Sequence, residues 1–299
     1  MKKILQILTG AIVLHITYLL FKNIDYFELY LFNLIPVINF NTTAVFTRII
    51  LALIATIGIA NLLLLATPKF NKTAGIALFV FSCITFISSL SKHYIICDCF
   101  NYKSLMYNFN VPIVFFILSI FLFYNPNKAQ LLSKFQKYIL PSILVVSLSI
   151  ITILSAPDFF LFKTPNKTNK PIDYSIISKP SENTLKELLT ENDKKLVAFV
   201  DPECTFCQKT IIKLSIMARK LKLYNHIFLL ETDGSEKIDD FMAKYHLDKL
   251  NHQYFFVNDV AKLNKGKFPY IILAEGENIN YEFEYRNLDE KTIKQFFKN

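Results

Sequence analysis

Residues 197–214 read VAFVDPECTFCQKTIIKL, and the fold of the carboxyl-terminal half follows from this stretch. KLVAFV (residues 195–200) is apolar after its lysine and rich in β-branched and aromatic residues, as a strand buried on both faces requires. From Cys204 the apolar residues recur at helical spacing, which predicts a helix over residues 204–221. Cys204 and Cys207 therefore sit at the join, one helical turn apart. Unpaired amides and the dipole at a helix amino terminus stabilise a thiolate. Cys204 is thus the candidate nucleophile and Cys207 the thiol that resolves its mixed disulfides. A strand–helix setting makes Cys-x-x-Cys a redox signal rather than a metal signal. The competing readings are half of a zinc site and a static disulfide. Zinc takes four ligands, and this half has no second cysteine pair, while His226, His246 and His252 are dispersed.

Working outward, the pattern predicts a short helix at residues 184–189, a strand at 226–231 and a helix at 235–245 capped by Ser235. Strands follow near 254–257, 270–274 and 281–285, then a closing helix at 289–297. Strands that alternate with helices and finish in a hairpin predict a central mixed sheet. KFPYII (residues 267–272) places a proline at a strand opening, which alone means an edge or a turn.

Together these residues resemble the thioredoxin family over residues 181–299. The resemblance implies an α/β thioredoxin-like domain in which Pro269 is a cis-proline opposite the dithiol. Phe268 and Pro269 would then bind the substrate chain through backbone hydrogen bonds. Two departures are visible: Asp201-Pro202-Glu203 stands where the family carries a tryptophan, and the dipeptide Thr205-Phe206 is neither Gly-Pro nor Pro-His. That dipeptide tunes the reduction potential, so the residues leave the redox direction open. Glu203 reads as a solvated carboxylate.

The other half is of a different kind. The chain has 299 residues with 29 Phe, 15 Tyr and no Trp, and is 53% hydrophobic and 19% charged. Soluble domains carry about 25% charged residues, so neither a wholly soluble nor a disordered chain fits. The net charge of +9 comes from scattered lysines without a basic stripe, which excludes nucleic acid as a partner. A span needs roughly 20 apolar residues, or about 17 at the low end. Residues 4–21, 49–66, 73–90, 111–124 and 139–156 are the candidates. YFELYLFNLIPVINF (residues 26–40) contains Glu28, Asn33 and Pro36 and reads as an interfacial or re-entrant piece. No small-x-small cleavage site follows the opening run, so it reads as an uncleaved first span.

Lysine and arginine in the short loops favour a cytoplasmic amino terminus. Five spans then put the carboxyl half and the loop 91–110 outside, on the periplasmic face of an inner, cytoplasmic membrane. Residues 157–180, with four prolines, read as a linker whose first residues are interfacial aromatics and whose remainder is too polar to pack. As a flexible coil its 24 residues would reach roughly 25–30 Å, enough to swing the dithiol down to the membrane.

The loop 91–100 reads SKHYIICDCF. A disulfide between Cys97 and Cys99 closes a very small, strained ring, a good exchange partner and a poor staple. Copper(I) or zinc on these thiolates is the rival, with Asp98 and His93 as the only further local ligands; two inert cysteines are the plain alternative. Cys97-Asp98-Cys99-Phe100 and the span pattern resemble the MauE/DoxX-like integral membrane proteins over residues 1–124. Asp98 and Asn101 stand where that family usually has glycines. The resemblance implies extracytoplasmic thiol–disulfide chemistry, including maturation of disulfide-rich partners.

A fused bacterial vitamin K epoxide reductase shares the layout but needs a Cys-x-x-Cys in a span and an earlier cysteine pair. No cysteine precedes Cys83. Cys83 reads as a packing residue or a quinone contact, and His15 as a histidine bonded to a carbonyl or a functional intramembrane group.

The expected architecture is an all-α transmembrane bundle of about five spans with a four-helix core (residues 1–156), a linker (157–180) and a thioredoxin-like domain (181–299). The expected function is a membrane-anchored thiol–disulfide oxidoreductase whose redox-active centres are Cys204/Cys207 and Cys97/Cys99. Its partners are extracytoplasmic proteins with thiols or disulfides, and membrane lipid. The residues name no metal and no certain cofactor; electron flow across the membrane would need a quinone or a separate donor, and the sequence shows neither. A quinone-linked disulfide generator and a copper-handling or assembly factor are the alternatives.

Overall fold

The computed structural model of the protein describes residues 2–35, 37–90, 110–123, 136–163, 167–189, 193–232, 235–245, 247, 250–264 and 266–298. The chain divides into two compact units, Met1–Pro157 and Asp158–Asn299. A helical part is thus followed by an α/β part.

The first unit comprises α1 (Lys2–Lys22), α2 (Ile24–Leu34), α3 (Phe40–Leu62), α4 (Pro68–Ser89), α5 (Asn110–Phe123) and α6 (Gln136–Leu154). Among the described residues α1, α3 and α4 are long and apolar enough to cross a membrane, which marks the chain as membrane-associated. The apolar helices α5 and α6 are shorter. At 14 residues α5 reaches about 21 Å, against a hydrocarbon core of about 30 Å.

The helix starts follow from their caps. Asn39 Oδ1 accepts from Thr42 N–H at 2.8 Å before α3, and Thr67 Oγ1 accepts from Phe70 N–H at 3.1 Å before α4, where Pro68 occupies the first helical position. Polar contacts between helices fix their directions. Gln6 Nε2 of α1 donates to Ala66 O beyond the end of α3 at 3.4 Å, so α1 and α3 are antiparallel. A Cβ on Gly10 would stand 2.5 Å from Leu62 N, so only glycine allows these backbones to close.

Asn61 and Asn71 exchange amide hydrogen bonds of 3.0 and 3.1 Å across the turn into α4. One apolar groove then runs along Ile50 and Ile57 of α3 and Phe70 and Phe81 of α4. Ser82 Oγ donates to Pro112 O at 2.7 Å, setting the second half of α4 against the start of α5. Arg48 Nε donates to Ser155 O at 2.8 Å, setting the first half of α3 against the end of α6. The end of α4, the start of α5 and the end of α6 therefore share one end of this unit.

The sequence reads residues 26–40 as interfacial or re-entrant. Residues 24–34 form a short helix with Phe27, Tyr30 and Phe32 buried, and Glu28 forms a buried ion pair with Arg48.

The second unit opens with α7 (Asp158–Leu161). It continues through β1 (Lys170–Pro171), α8 (Lys179–Leu188), β2 (Lys194–Val200), α9 (Thr205–Leu221), β3 (Ile227–Glu231), α10 (Ser235–Lys244) and β4 (Asn251–Tyr254). It closes with α11 (Val257–Asn264), β5 (Tyr270–Glu275), β6 (Asn278–Phe283) and α12 (Glu290–Lys298). The six strands form one mixed sheet in the order β1-β6-β5-β2-β3-β4. β2 runs parallel to β3 and antiparallel to β5, and β5 and β6 form the closing hairpin. Val197 and Phe199 of β2 join Leu230, Ile272, Leu185 and Val260 in one core layer. Alternation turns Leu196, Ala198 and Val200 to the opposite face, where α9 packs on β2.

Residues 167–180 are not the flexible linker that their prolines and lysines predict. Thr168 N–H donates to Asn280 O at 2.9 Å, β1 pairs antiparallel with β6, and Ile172 N–H donates to Glu277 O at 3.0 Å. Ile172 and Ile177 lie in the core. A two-residue edge strand and two spaced isoleucines are too sparse to leave a periodic signature. These contacts tie residues 168–177 to the sheet and rule out the wide swing of a 24-residue coil. The helix α11 follows β4 directly, where the sequence places only a strand near 254–257.

One buried carboxylate ties these elements together. Asp259 of α11 is 2% exposed and accepts from Ser178 Oγ and, at 2.6 Å, from Ser181 Oγ, at the start of α8. Burial pushes its pKa up, but the serine hydrogen bonds and Lys262 outweigh that and hold it at about 2, below the usual 3.8. A depressed carboxyl stabilises the fold above its unfolded pKa, and the contribution is lost as pH falls through the folded value. Between about pH 5 and pH 2 the protein should lose on the order of 2 kcal/mol through this group. Asp259→Ala should lower stability at neutral pH and flatten this acid limb, measured by denaturant unfolding across the pH range.

Candidate functional site: the dithiol turn

The site is built where β2 ends. Leu196 through Val200 are fully buried, so the strand's direction is fixed up to Asp201. There the chain turns sharply. Asp201 Oδ1 accepts from Glu203 N–H at 2.8 Å, and Asp201 O accepts from Cys204 N–H at 3.0 Å. Gln208 closes the turn from the helix side, its Nε2 donating to Pro202 O at 2.7 Å and its N–H to Cys204 O at 2.9 Å.

Cys204 is thereby the N-cap of α9, in extended geometry and without a side-chain capping bond. It is half-buried, whereas Cys207, in the first turn, is fully buried. Both are free thiols. Burial pushes the Cys207 thiol far above its ordinary pKa, and the neighbouring Cys204 and Asp201 charges add to this, against a backbone hydrogen bond from Asp201. The pair therefore consists of one reachable sulfur at a helix amino terminus and one shielded, protonated sulfur hydrogen-bonded to it.

The peptide bond Phe268–Pro269 is cis. β5 begins at Tyr270, paired with Phe199, so Pro269 falls one step further along, beside Val200. On the other side Val200 pairs with Glu231 of β3. Pro269 and the dithiol turn thus lie at the same end of the sheet's central strands. Tyr270 faces the core, stacked on Phe199 at 5.6 Å, and its hydroxyl donates to Glu282. Burial, then the Glu282 carboxylate, pushes that phenol up.

The surroundings of the dipeptide were not legible in the sequence. Phe206 lies 5.9 Å from the Tyr285 ring, centroid to centroid. Lys209 Nζ and the Arg286 guanidinium stand 5.3 and 5.5 Å from the Phe206 centroid. Lys213, buried in α9, donates to Leu288 O at 2.8 Å and lies 5.4 Å from the Tyr285 centroid. Tyr285 and Arg286 lie some eighty positions away in the chain, and no spacing rule connects them to Cys204. Glu203 pairs with Lys237 at 2.9 Å on the exposed rim.

Cys97 and Cys99, the second predicted couple, lie outside the described residues. Cys83 lines an apolar groove of about 430 Å³ between α4 and α5, with Ser82, Phe86, Pro112 and Phe116. Among the described residues no three His, Cys, Asp or Glu side chains gather as a metal site would require. Compared with known proteins, the chain matches no family model and no curated protein.

Proposed function

We propose that the protein is a membrane-anchored thiol–disulfide oxidoreductase that acts on extracytoplasmic proteins, with a thioredoxin-like domain following a MauE/DoxX-like, five-span bundle in an inner membrane. The observation that carries this reading is the asymmetry of the dithiol: Cys204 reachable at the cap of α9, Cys207 buried behind it. The cis-proline at the same end of the central strands supports it.

In the reductive direction the Cys204 thiolate attacks a client disulfide. A Cys204–client S–S bond forms, the client S–S bond breaks, and one client thiolate leaves. Cys207 then gives up its proton and attacks Cys204. The Cys204–Cys207 disulfide forms and the second client thiolate leaves, two electrons having passed to the client. Oxidation of a client dithiol is the same sequence reversed.

Cys97 and Cys99 supply the return couple. As a dithiol they reduce the Cys204–Cys207 disulfide by the same two displacements and become the disulfide themselves. The shared end of the first unit supports this relay, because α4, which precedes Cys97 and Cys99 in the chain, ends there and α5, which follows them, begins there, where α6 also ends.

The test uses the purified full chain in lipid nanodiscs, offered insulin with a thiol donor and a reduced peptide with an oxidant. Turnover in one direction, abolished by Cys204→Ser and slowed by Cys97→Ser, is the expected result. An intact Cys204 that turns over neither substrate would sink the proposal.

A further inference from the structure

The second unit begins beside its own dithiol. Arg286, just after β6, has Nη1 3.4 Å from Asp158 Oδ1 of α7. Its guanidinium carbon lies 5.2 Å from the Phe162 centroid and 5.5 Å from that of Phe206, the residue next to Cys207. One arginine therefore joins the first residues of the unit to the dithiol turn. Around it the apolar side chains face outward: Phe160 is 67% exposed, Leu161 61%, Phe206 38% and Phe162 37%. Phe159 packs against Phe160 at 4.4 Å between centroids. Exposed Lys163, together with Lys209 and Arg286, gives the same edge a positive rim. A run of exposed aromatic residues with cationic neighbours marks a contact surface rather than ordinary solvated exterior.

We infer that this edge is a lipid-contact surface. Phe160, Leu161, Phe162 and Phe206 enter the interfacial layer of the bilayer, and Lys163, Lys209 and Arg286 meet anionic headgroups. Chain continuity selects this occupant. Phe160 is six residues beyond Leu154, the last residue of the apolar helix α6, so even a fully extended chain keeps it within about 21 Å of that helix end. Aromatic rings settle at the headgroup level, and basic residues there gain from anionic lipid. The inference rests on the proposed crossing of the membrane by α6, and not on thiol chemistry. Its consequence is a substrate restriction: Cys204 is held at headgroup height and exchanges with thiols presented at the membrane surface.

The chain contains no tryptophan, so Phe160→Trp and Phe206→Trp each introduce a single indole. The full-length variants are placed in nanodiscs of phosphatidylcholine alone or with one-third phosphatidylglycerol. Quenching by a shallow, acyl-chain spin label is compared with quenching by aqueous iodide. Both indoles should be quenched from the lipid, and the one at 206 by about twofold more in the anionic discs. Arg286→Ala should release position 206 while leaving position 160 in contact with lipid.

The wild-type chain provides a check that needs no substitution. A maleimide carried on a lipid headgroup should alkylate Cys204 in the same discs, identified by peptide mass. An indole at 206 quenched only by iodide overturns the inference, as does one shielded from both quenchers by a client or a second copy. Failure of the lipid-borne maleimide to reach Cys204 does the same. Insulin turnover in the same discs reports separately on the oxidoreductase reading.

Discussion

Cys207→Ser should accumulate a covalent adduct through Cys204 that runs as a higher band on non-reducing gels and collapses with dithiothreitol. By the proposed mechanism the adduct is transient in the native chain, because Cys207 sits in the first turn of α9, hydrogen-bonded to Cys204. Serine keeps the shape and removes the second displacement, so the first product persists. Adding Cys204→Ser should abolish the adduct, and Cys204→Ser alone should bring exchange to background. Peptide mapping should place the partner sulfur on a client or on Cys97 or Cys99. No adduct under any of these conditions would refute the assignment of roles.

Burial adds a pH signature to this result. The resolving thiol is held protonated well above its ordinary range, and only the thiolate attacks. Below that raised pKa the thiolate fraction climbs about tenfold per pH unit. The lifetime of the native mixed disulfide should therefore shorten as pH rises from 6 to 9, as quenched-flow acid trapping would show. A lifetime that does not change with pH would mean that another step limits resolution.

The second large effect is expected in the helical unit. Arg48→Ala should destabilise the helical unit by about 3–5 kcal/mol, the cost of leaving one buried partner of an ion pair uncompensated. Both side chains of the Arg48–Glu28 pair are only 6% exposed. Arg48 also donates to Ala44 O at 2.7 Å and to Ser155 O at 2.8 Å, so one guanidinium ties α2, α3 and α6 together. Glu28→Ala should cost a similar amount, whereas the paired change Glu28→Leu with Arg48→Met should be far milder, since it removes both charges at once. Thermal unfolding in detergent, followed by circular dichroism, checks this. Equal damage from the single and the paired changes would show that the hydrogen bonds to Ala44 and Ser155, not the charge balance, set the stability.

Particular elements show why some of this was readable in the sequence and some was not. The β2–α9 join was legible because two periodicities meet at Cys204, and the helix begins at Thr205 with Cys204 as its cap. The strands at 227–231 and 270–275 announce themselves as apolar runs. Glu28 and Arg48 are twenty positions apart on different helices, so no local pattern announces their pairing. β1 consists of a lysine and a proline, and its place in the sheet is set by β6 rather than by its own propensity. The Arg286 stack arises from the return of the closing hairpin to the start of the unit, a tertiary event with no local signal. Cys97 and Cys99 are legible as a Cys-x-Cys motif, but they lie outside the described residues.

The packing of Ile172 and Ile177 bears on anyone trimming this chain to obtain a water-soluble piece. A fragment that starts at Ser181 leaves the outer strand β6 without its neighbour and opens two holes where those isoleucines belong. It also discards Ser178, one of the two hydroxyl donors to Asp259. The cut that respects these contacts falls at Asp158, and it retains the aromatic residues that make such a piece prone to self-association.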